Sequence, residues 1–168
     1  MKNNTVVANN NGTKVLTDAH GRTYLSVEEN ESVVVLAKDG EDFILINQYR
    51  KPVDSYIVQL PGGGVEKGED LPEAAKRELI EETGFECGEV HYLGKMLAAP
   101  WLCDEVTHVF FTEEVLERKD QQLEAHETIE VLRISVDECL ENIKNSNFND
   151  PELCYGVLQA KLQGYISS

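Results

Sequence analysis

Basic residues are scarce in this chain of 168 residues: 15 lysines and arginines stand against 31 aspartates and glutamates, for a formal charge of −16. Such a surface disfavours binding that relies on neutralising nucleic-acid phosphates, and it repels an anionic membrane. A phosphorylated small molecule would be repelled too, unless bound cations reverse the field at one place. Long apolar runs are also missing. No stretch approaches the roughly 18 apolar residues that cross a bilayer, and the opening MKNNTVVANNNGTKVL has no apolar signal core. Secretion and membrane spanning are therefore not expected. Cysteine is limited to Cys87, Cys103, Cys139 and Cys154, with no CxxC pair and no histidine cluster beside them, which argues against a zinc site. A reduced, cytoplasmic protein is the expectation.

What remains is enough for a core. With 41% hydrophobic residues, five Phe, six Tyr and one Trp, the chain is expected to form a single domain over 1–168. Residues 1–20 are expected to be partly flexible, the Asn-rich opening through Asn11 above all. Period-two patterns and β-branched residues predict strands in TYLSVEE, on both sides of Asp39-Gly40, and in SYIVQL, VHYLGKMLAA, THVFFTEEV and IEVLRISV. A helix is predicted from Leu71 to Thr83, with Asp70 as its cap, Glu73 completing a capping box, and Gly84 ending it. Two closing helices are predicted in VDECLENIKNS and PELCYGVLQAKLQGYI, the latter with an apolar stripe of Leu153, Val157, Leu158 and Leu162.

Chemistry concentrates in the first helix. Glu78, Glu81 and Glu82 are spaced three and four residues apart, so they share one broad face. Carboxylates so close repel one another, whereas a hard divalent cation such as Mg²⁺ accepts an oxygen-rich shell. Arg77 can pair with Glu81 one turn on and orient it. Upstream, Gly62-Gly63-Gly64 allows backbone to approach a cation or a phosphate where a side chain would obstruct it. Taken alone, an acidic helix face is most often solvated surface, and a glycine run is a weak signal.

The order of these residues is more specific than any one of them. Gly63, Glu69, Arg77-Glu78-Leu79, Glu81-Glu82 and Gly84-Phe85 within GGVEKGEDLPEAAKRELIEETGF, residues 63–85, resemble the complete Nudix box with its proper gaps. The resemblance implies an α/β fold, an α/β/α sandwich with a mixed β-sheet, and Mg²⁺-dependent hydrolysis, with Mn²⁺ an alternative ion. By the same resemblance Glu78, Glu81, Glu82 and the Gly62 carbonyl are expected to hold metal, with Glu69 as a helper.

Flanking motifs extend the likeness. Gln48-Tyr49-Arg50-Lys51-Pro52 and Gln59-Leu60-Pro61-Gly62-Gly63, followed by Ala99-Pro100 and Glu105, resemble the ADP-ribose pyrophosphatases and nucleotide-sugar hydrolases. Arg50, Tyr49, Gln59, Pro100, Trp101 and Glu105 are the expected substrate-binding residues. Gln59 stands where that motif usually has Glu, and Gly62 where it usually has Ala. The catalytic set is expected to comprise Glu127 as base, Glu78 and Arg77, with Glu124 and the box glutamates as alternative bases. His126 is read as a polar side chain of a charged surface loop, and His20, His91 and His108 form no metal set. The implied substrate is a nucleoside diphosphate sugar, split into a nucleoside monophosphate and a sugar phosphate. A triphosphate pyrophosphohydrolase and an inactive nucleotide-binding module are the alternatives, and a homodimer is expected from the elements flanking the box.

Overall fold

The computed structural model describes residues 4–124 and 127–167. Its centre is a seven-stranded mixed sheet. Strand β4 (Glu31–Asp39) turns at Gly40 into β5 (Asp42–Arg50), and β5 carries β6 (Ser55–Gln59) and β12 (Ile129–Ser135) on its flanks. On its other side β4 pairs in parallel with β10 (Val106–Thr112), which in turn pairs antiparallel with β9 (His91–Met96). The short β7 (Gly62–Gly64) runs antiparallel to β4. The glycine run is thus a strand, and its register fixes Gly62 opposite Val34.

Alternation along β4 and β5 sends side chains to two separate cores. Val34, Leu36, Phe43 and Leu45 pack under helices α2 (Val136–Lys144) and α3 (Pro151–Leu162). Val33, Val35, Ile44 and Phe110 pack under helix α1 (Leu71–Thr83) with Ala74, Ala75 and Leu79. Both faces are covered, as the expected sandwich requires. Among the described residues no helix is long and apolar enough to cross a membrane.

Several expectations are corrected. Residues 5–17, where no strand is predicted, are extended: β1 (Thr5–Asn10) and β2 (Thr13–Thr17) form a three-stranded antiparallel sheet with β3 (Thr23–Val27). The turn at Asn11-Gly12, both left-handed, makes this hairpin despite few apolar residues. Asp70 is the N-cap of α1 by backbone geometry but its side chain caps nothing, and Glu73 pairs with Lys76 instead of closing a capping box. On α3 the buried stripe is Leu153, Gly156, Val157 and Ala160, whereas Leu158 and Leu162 are exposed. Spacing explains it: the buried four follow i, i+3, i+4, i+7, and Leu158 falls on the far side of the helix.

The end of α1 is tightly specified. Gly84 adopts a left-handed φ of 77°, and a Cβ there would meet Lys119 O at 2.1 Å. Phe85 then starts β8 (Phe85–Cys87), paired with β11 (Val115–Arg118), and buries its ring beneath α1. Gly84→Ala is expected to destabilise by at least ~1–2 kcal/mol. A urea midpoint equal to the wild type's would show that this turn relaxes freely.

Candidate active site

Helix α1 lies across the sheet so that its last turns face β7. Glu82 is the most enclosed of the glutamates, 3% exposed, and its Oε2 accepts the Gly62 N–H at 2.7 Å. Burial pushes its carboxyl up to about 8; the charges of Glu78 and Glu127 add to the rise, and the Gly62 N–H and Arg50 oppose it. Glu78 is shifted upward as well, chiefly by burial. Gly63 touches this group closely, since a Cβ there would come within 2.7 Å of both Glu78 oxygens. At Gly62 a Cβ would meet Val33 O at 2.1 Å, so the alanine of the related motif would push β7 off β4.

Arg77 organises the other carboxylates. Its five N–H donors all find acceptors: Nε and Nη2 grip Glu69 at 2.8 and 2.9 Å, Nη1 reaches Glu78 at 2.7 Å and Glu81 at 3.1 Å, and Nη2 also bonds Gly64 O at 3.0 Å. The expected pairing with Glu81 is present, and Glu69 is held below the usual carboxylate range by this guanidinium. Neither Arg77 nor Glu78, both in the expected catalytic set, lines the cavity beside Glu82.

Glu78, Glu81 and Glu82 sit on the helix as expected, but their carboxylates do not form a preformed cage. Two are drawn to Arg77 and one to Gly62. Among the described residues no group of three or more acidic, histidine or cysteine side chains is already arranged around a metal position. The donor chemistry nonetheless fits Mg²⁺ or Mn²⁺: hard oxygens only, a buried carboxylate in need of positive charge, and glycine backbone alongside.

The cavity beside Glu82 has a volume of about 340 Å³ and is open to solvent. Gly62–Gly64 form one wall, with Ser32, Gln48, Arg50, Glu105, Glu127 and Glu152 arriving from elsewhere. Of the expected substrate residues, Arg50 and Glu105 are here. Tyr49 is not: strand alternation turns it away from Gln48 and Arg50, its hydroxyl donates to Asp54, and its ring meets Tyr56 edge-on at 5.6 Å. Gln59 lies behind Arg50, accepting its Nε–H at 2.6 Å. Pro100 and Trp101 line a different, larger cavity of about 610 Å³ with Tyr24, Leu97 and Leu102, and Trp101 is 79% exposed. Glu127 lines the glutamate cavity and accepts the Glu124 N–H at 2.9 Å. His126 lies outside the described residues.

Sequence reasoning passed over Ser32, Gln48, Asp150 and Glu152. Gln48 was within reach, because it shares the face of β5 with Arg50 two residues on. Its Oε1 is buried without a hydrogen-bond partner, a sign of a wall built for something else to complete. Glu152, in the first turn of α3, accepts from Thr107 at 2.8 Å, and burial shifts its carboxyl upward. No local pattern in the chain marks it.

The NUDIX domain family profile matches residues 29–153. The ADP-ribose pyrophosphatase of Bacillus subtilis (strain 168) is 34% identical over 140 residues, covering 82% of this chain and 75% of that protein. A methanol dehydrogenase activator of Bacillus methanolicus is 33% identical over 134 residues, 79% of this chain and 72% of that protein. The crystal structure of an ADP compounds hydrolase superposes with a TM-score of 0.81 over 99% of this chain and 96% of that one; at 22% identity this is a likeness of fold.

Proposed function

This chain belongs to the NUDIX domain family and is a Nudix hydrolase, and from that premise we propose that it cleaves the diphosphate of ADP-ribose or a related nucleoside diphosphate sugar. The products are a nucleoside monophosphate and a sugar phosphate. The observation that carries this reading is the cavity beside Glu82, where the guanidinium of Arg50 faces a wall of glutamates. Such a site accepts an anion only together with added cations, which resolves the conflict between a charge of −16 and a phosphorylated substrate.

When bound, Mg²⁺ or Mn²⁺ supplies charge neutralisation of the diphosphate and acidifies water. Glu78, Glu81 and Glu82, with the Gly62 carbonyl, would hold the ions. Arg50 binds a non-bridging phosphate oxygen by charge-assisted hydrogen bonds. Glu127 accepts the proton of the attacking water as its oxygen bonds to one phosphorus and the bridging P–O bond breaks, the second phosphate leaving as an anion. Glu105 stands at the rim for the sugar or base. Pro100 and Trp101, being in the neighbouring cavity, take part only if the substrate spans both.

A panel of ADP-ribose, other nucleoside diphosphate sugars, dinucleoside polyphosphates, coenzyme A and nucleoside triphosphates tests the reading. Turnover is expected to depend on the metal and to favour a sugar-linked diphosphate. Release of pyrophosphate from triphosphates as the preferred reaction would replace this reading with a nucleotide-pool function. Binding of ADP-ribose without turnover of any compound would make the domain a nucleotide-binding module. The homodimer belongs to the same proposal, supported by the exposed Val6 and Val7 on β1 and Leu158 and Leu162 on α3. Light scattering at the monomer mass contradicts it.

A further inference from the structure

Arg50 is the one cationic side chain among the described residues that line the glutamate cavity. It stands exposed at the end of β5, and an arginine so placed holds rotamer entropy that substrate binding would have to overcome. The structure removes part of that freedom beforehand. Nε of Arg50 donates to Gln59 Oε1 at 2.6 Å, and Gln59 Nε2 donates to Asp150 Oδ2 at 2.8 Å. The other oxygen of Asp150 accepts the Leu153 N–H at 2.9 Å as the cap of α3. Gln59 and Asp150 are buried, at 8% and 7% exposure. A chain of hydrogen bonds thus runs from the end of β5, across β6, to the start of a helix packed on the opposite core.

We propose that Gln59 and Asp150 are positioning residues that aim Arg50 into the cavity, and that Asp150 is the reason an amide occupies position 59. This rests on the reading of Arg50 as a diphosphate-binding residue. Gln59 must accept from a guanidinium on one side and donate to a carboxylate on the other. An amide does both without a shared proton, whereas a carboxylate of the same length cannot. Its orientation is fixed by the same partners, because the flipped amide would set NH₂ against guanidinium and carbonyl against carboxylate. A glutamate at 59 would serve Arg50 equally well but would face Asp150 with two anions at hydrogen-bonding distance and no donor between them. The departure from Glu in the related motif is therefore compensated a long way along the chain. Asparagine at 150 would reverse the requirement: its Nδ2 can donate to a glutamate at 59 while its Oδ1 still caps α3.

The test is a set of full-length variants, Q59E, D150N and Q59E/D150N, each also made in an Arg50→Met background, with kcat, KM for ADP-ribose and melting temperature measured. Q59E is expected to raise KM about tenfold with a smaller change in kcat, the pattern of lost ground-state binding. D150N should raise KM less. Q59E/D150N should return KM to within about threefold of the wild type and recover the melting temperature lost in Q59E. In the Arg50→Met background Q59E should leave KM where R50M alone puts it. A wild-type KM in Q59E, no recovery in the double variant, or an equal Q59E effect without Arg50 overturns the relay while leaving the hydrolase reading in place. Absence of sugar-diphosphate turnover by the wild-type protein overturns that reading, and the proposed role of Arg50 with it.

Discussion

Glutamine in place of Glu82 is expected to lower kcat on the order of 10²-fold or more while the fold persists, the loss of several kcal/mol of charge stabilisation. The replacement is nearly isosteric, and its amide oxygen can still accept the Gly62 N–H that now reaches Glu82 at 2.7 Å. What disappears is the charge. Without metal that charge is a burden: burial pushes the carboxyl up from 4.5 to about 8, with Glu78 and Glu127 adding repulsion. Its folded value thus lies above its unfolded one, so the folded state binds the proton more tightly. Stability of the metal-free protein should fall as pH rises from about 4.5 to about 8 and level off above that. Melting curves in EDTA across this range should slope downward for the wild type and less for E82Q. Added Mn²⁺ should then raise the wild-type melting temperature more than that of E82Q. Turnover within threefold of wild type, or equal stabilisation of both proteins by the metal, would remove Glu82 from the metal-binding set.

Arg77→Lys is expected to cost about 2–3 kcal/mol of stability and to lower turnover roughly tenfold or more, a larger penalty than the conservative label suggests. All five donors of the guanidinium are used, bridging Glu69, Glu78, Glu81 and Gly64 O. Lysine presents three donors from a single point and cannot span that set. The Arg77 side chain is 25% exposed, so the figure sits below that for a fully enclosed pair. Arg77→Ala should be worse, since three carboxylates would face one another with no cation. Adding Glu69→Gln to Arg77→Ala should restore part of the stability but little of the turnover, because Glu78 and Glu81 would remain unoriented. Unfolding by urea and steady-state kinetics read the two effects separately. An Arg77→Lys protein as stable and active as the wild type would reduce the five-bond cluster to a surface ornament.

The parts of the site that were legible in the sequence are those whose geometry is local. Glu78, Glu81 and Glu82 share a helix, and a helix imposes neighbours at three and four residues whatever surrounds it. Gly84 follows the same logic, since only glycine enters the left-handed turn cheaply. Arg50 lines the cavity, and the motif that carries it is visible in the sequence too. Trp101 and Tyr49 lie outside this cavity, because an aromatic near a motif says nothing about the direction its side chain takes. For Tyr49, alternation along β5 assigns the cavity face to Gln48 and Arg50. For Trp101, the loop lies against β3, where Leu25 donates to Leu102 O at 2.7 Å, and this carries the indole to another cavity.

By itself, then, the sequence determined the acidic face of helix α1, the glycine run before it and the glycine that ends it. Only the tertiary structure decided what stands opposite that helix. The parallel pairing of β10 with β4 brings Glu105 to the cavity rim, and the return of α3 to the sheet delivers Glu152 and sets Asp150 against Gln59. These are contacts between residues 45 to 91 positions apart along the chain. Local periodicity carries no record of them, because which strands become neighbours is settled by burying two apolar faces at once, and the polar residues at the strand ends are placed as a consequence.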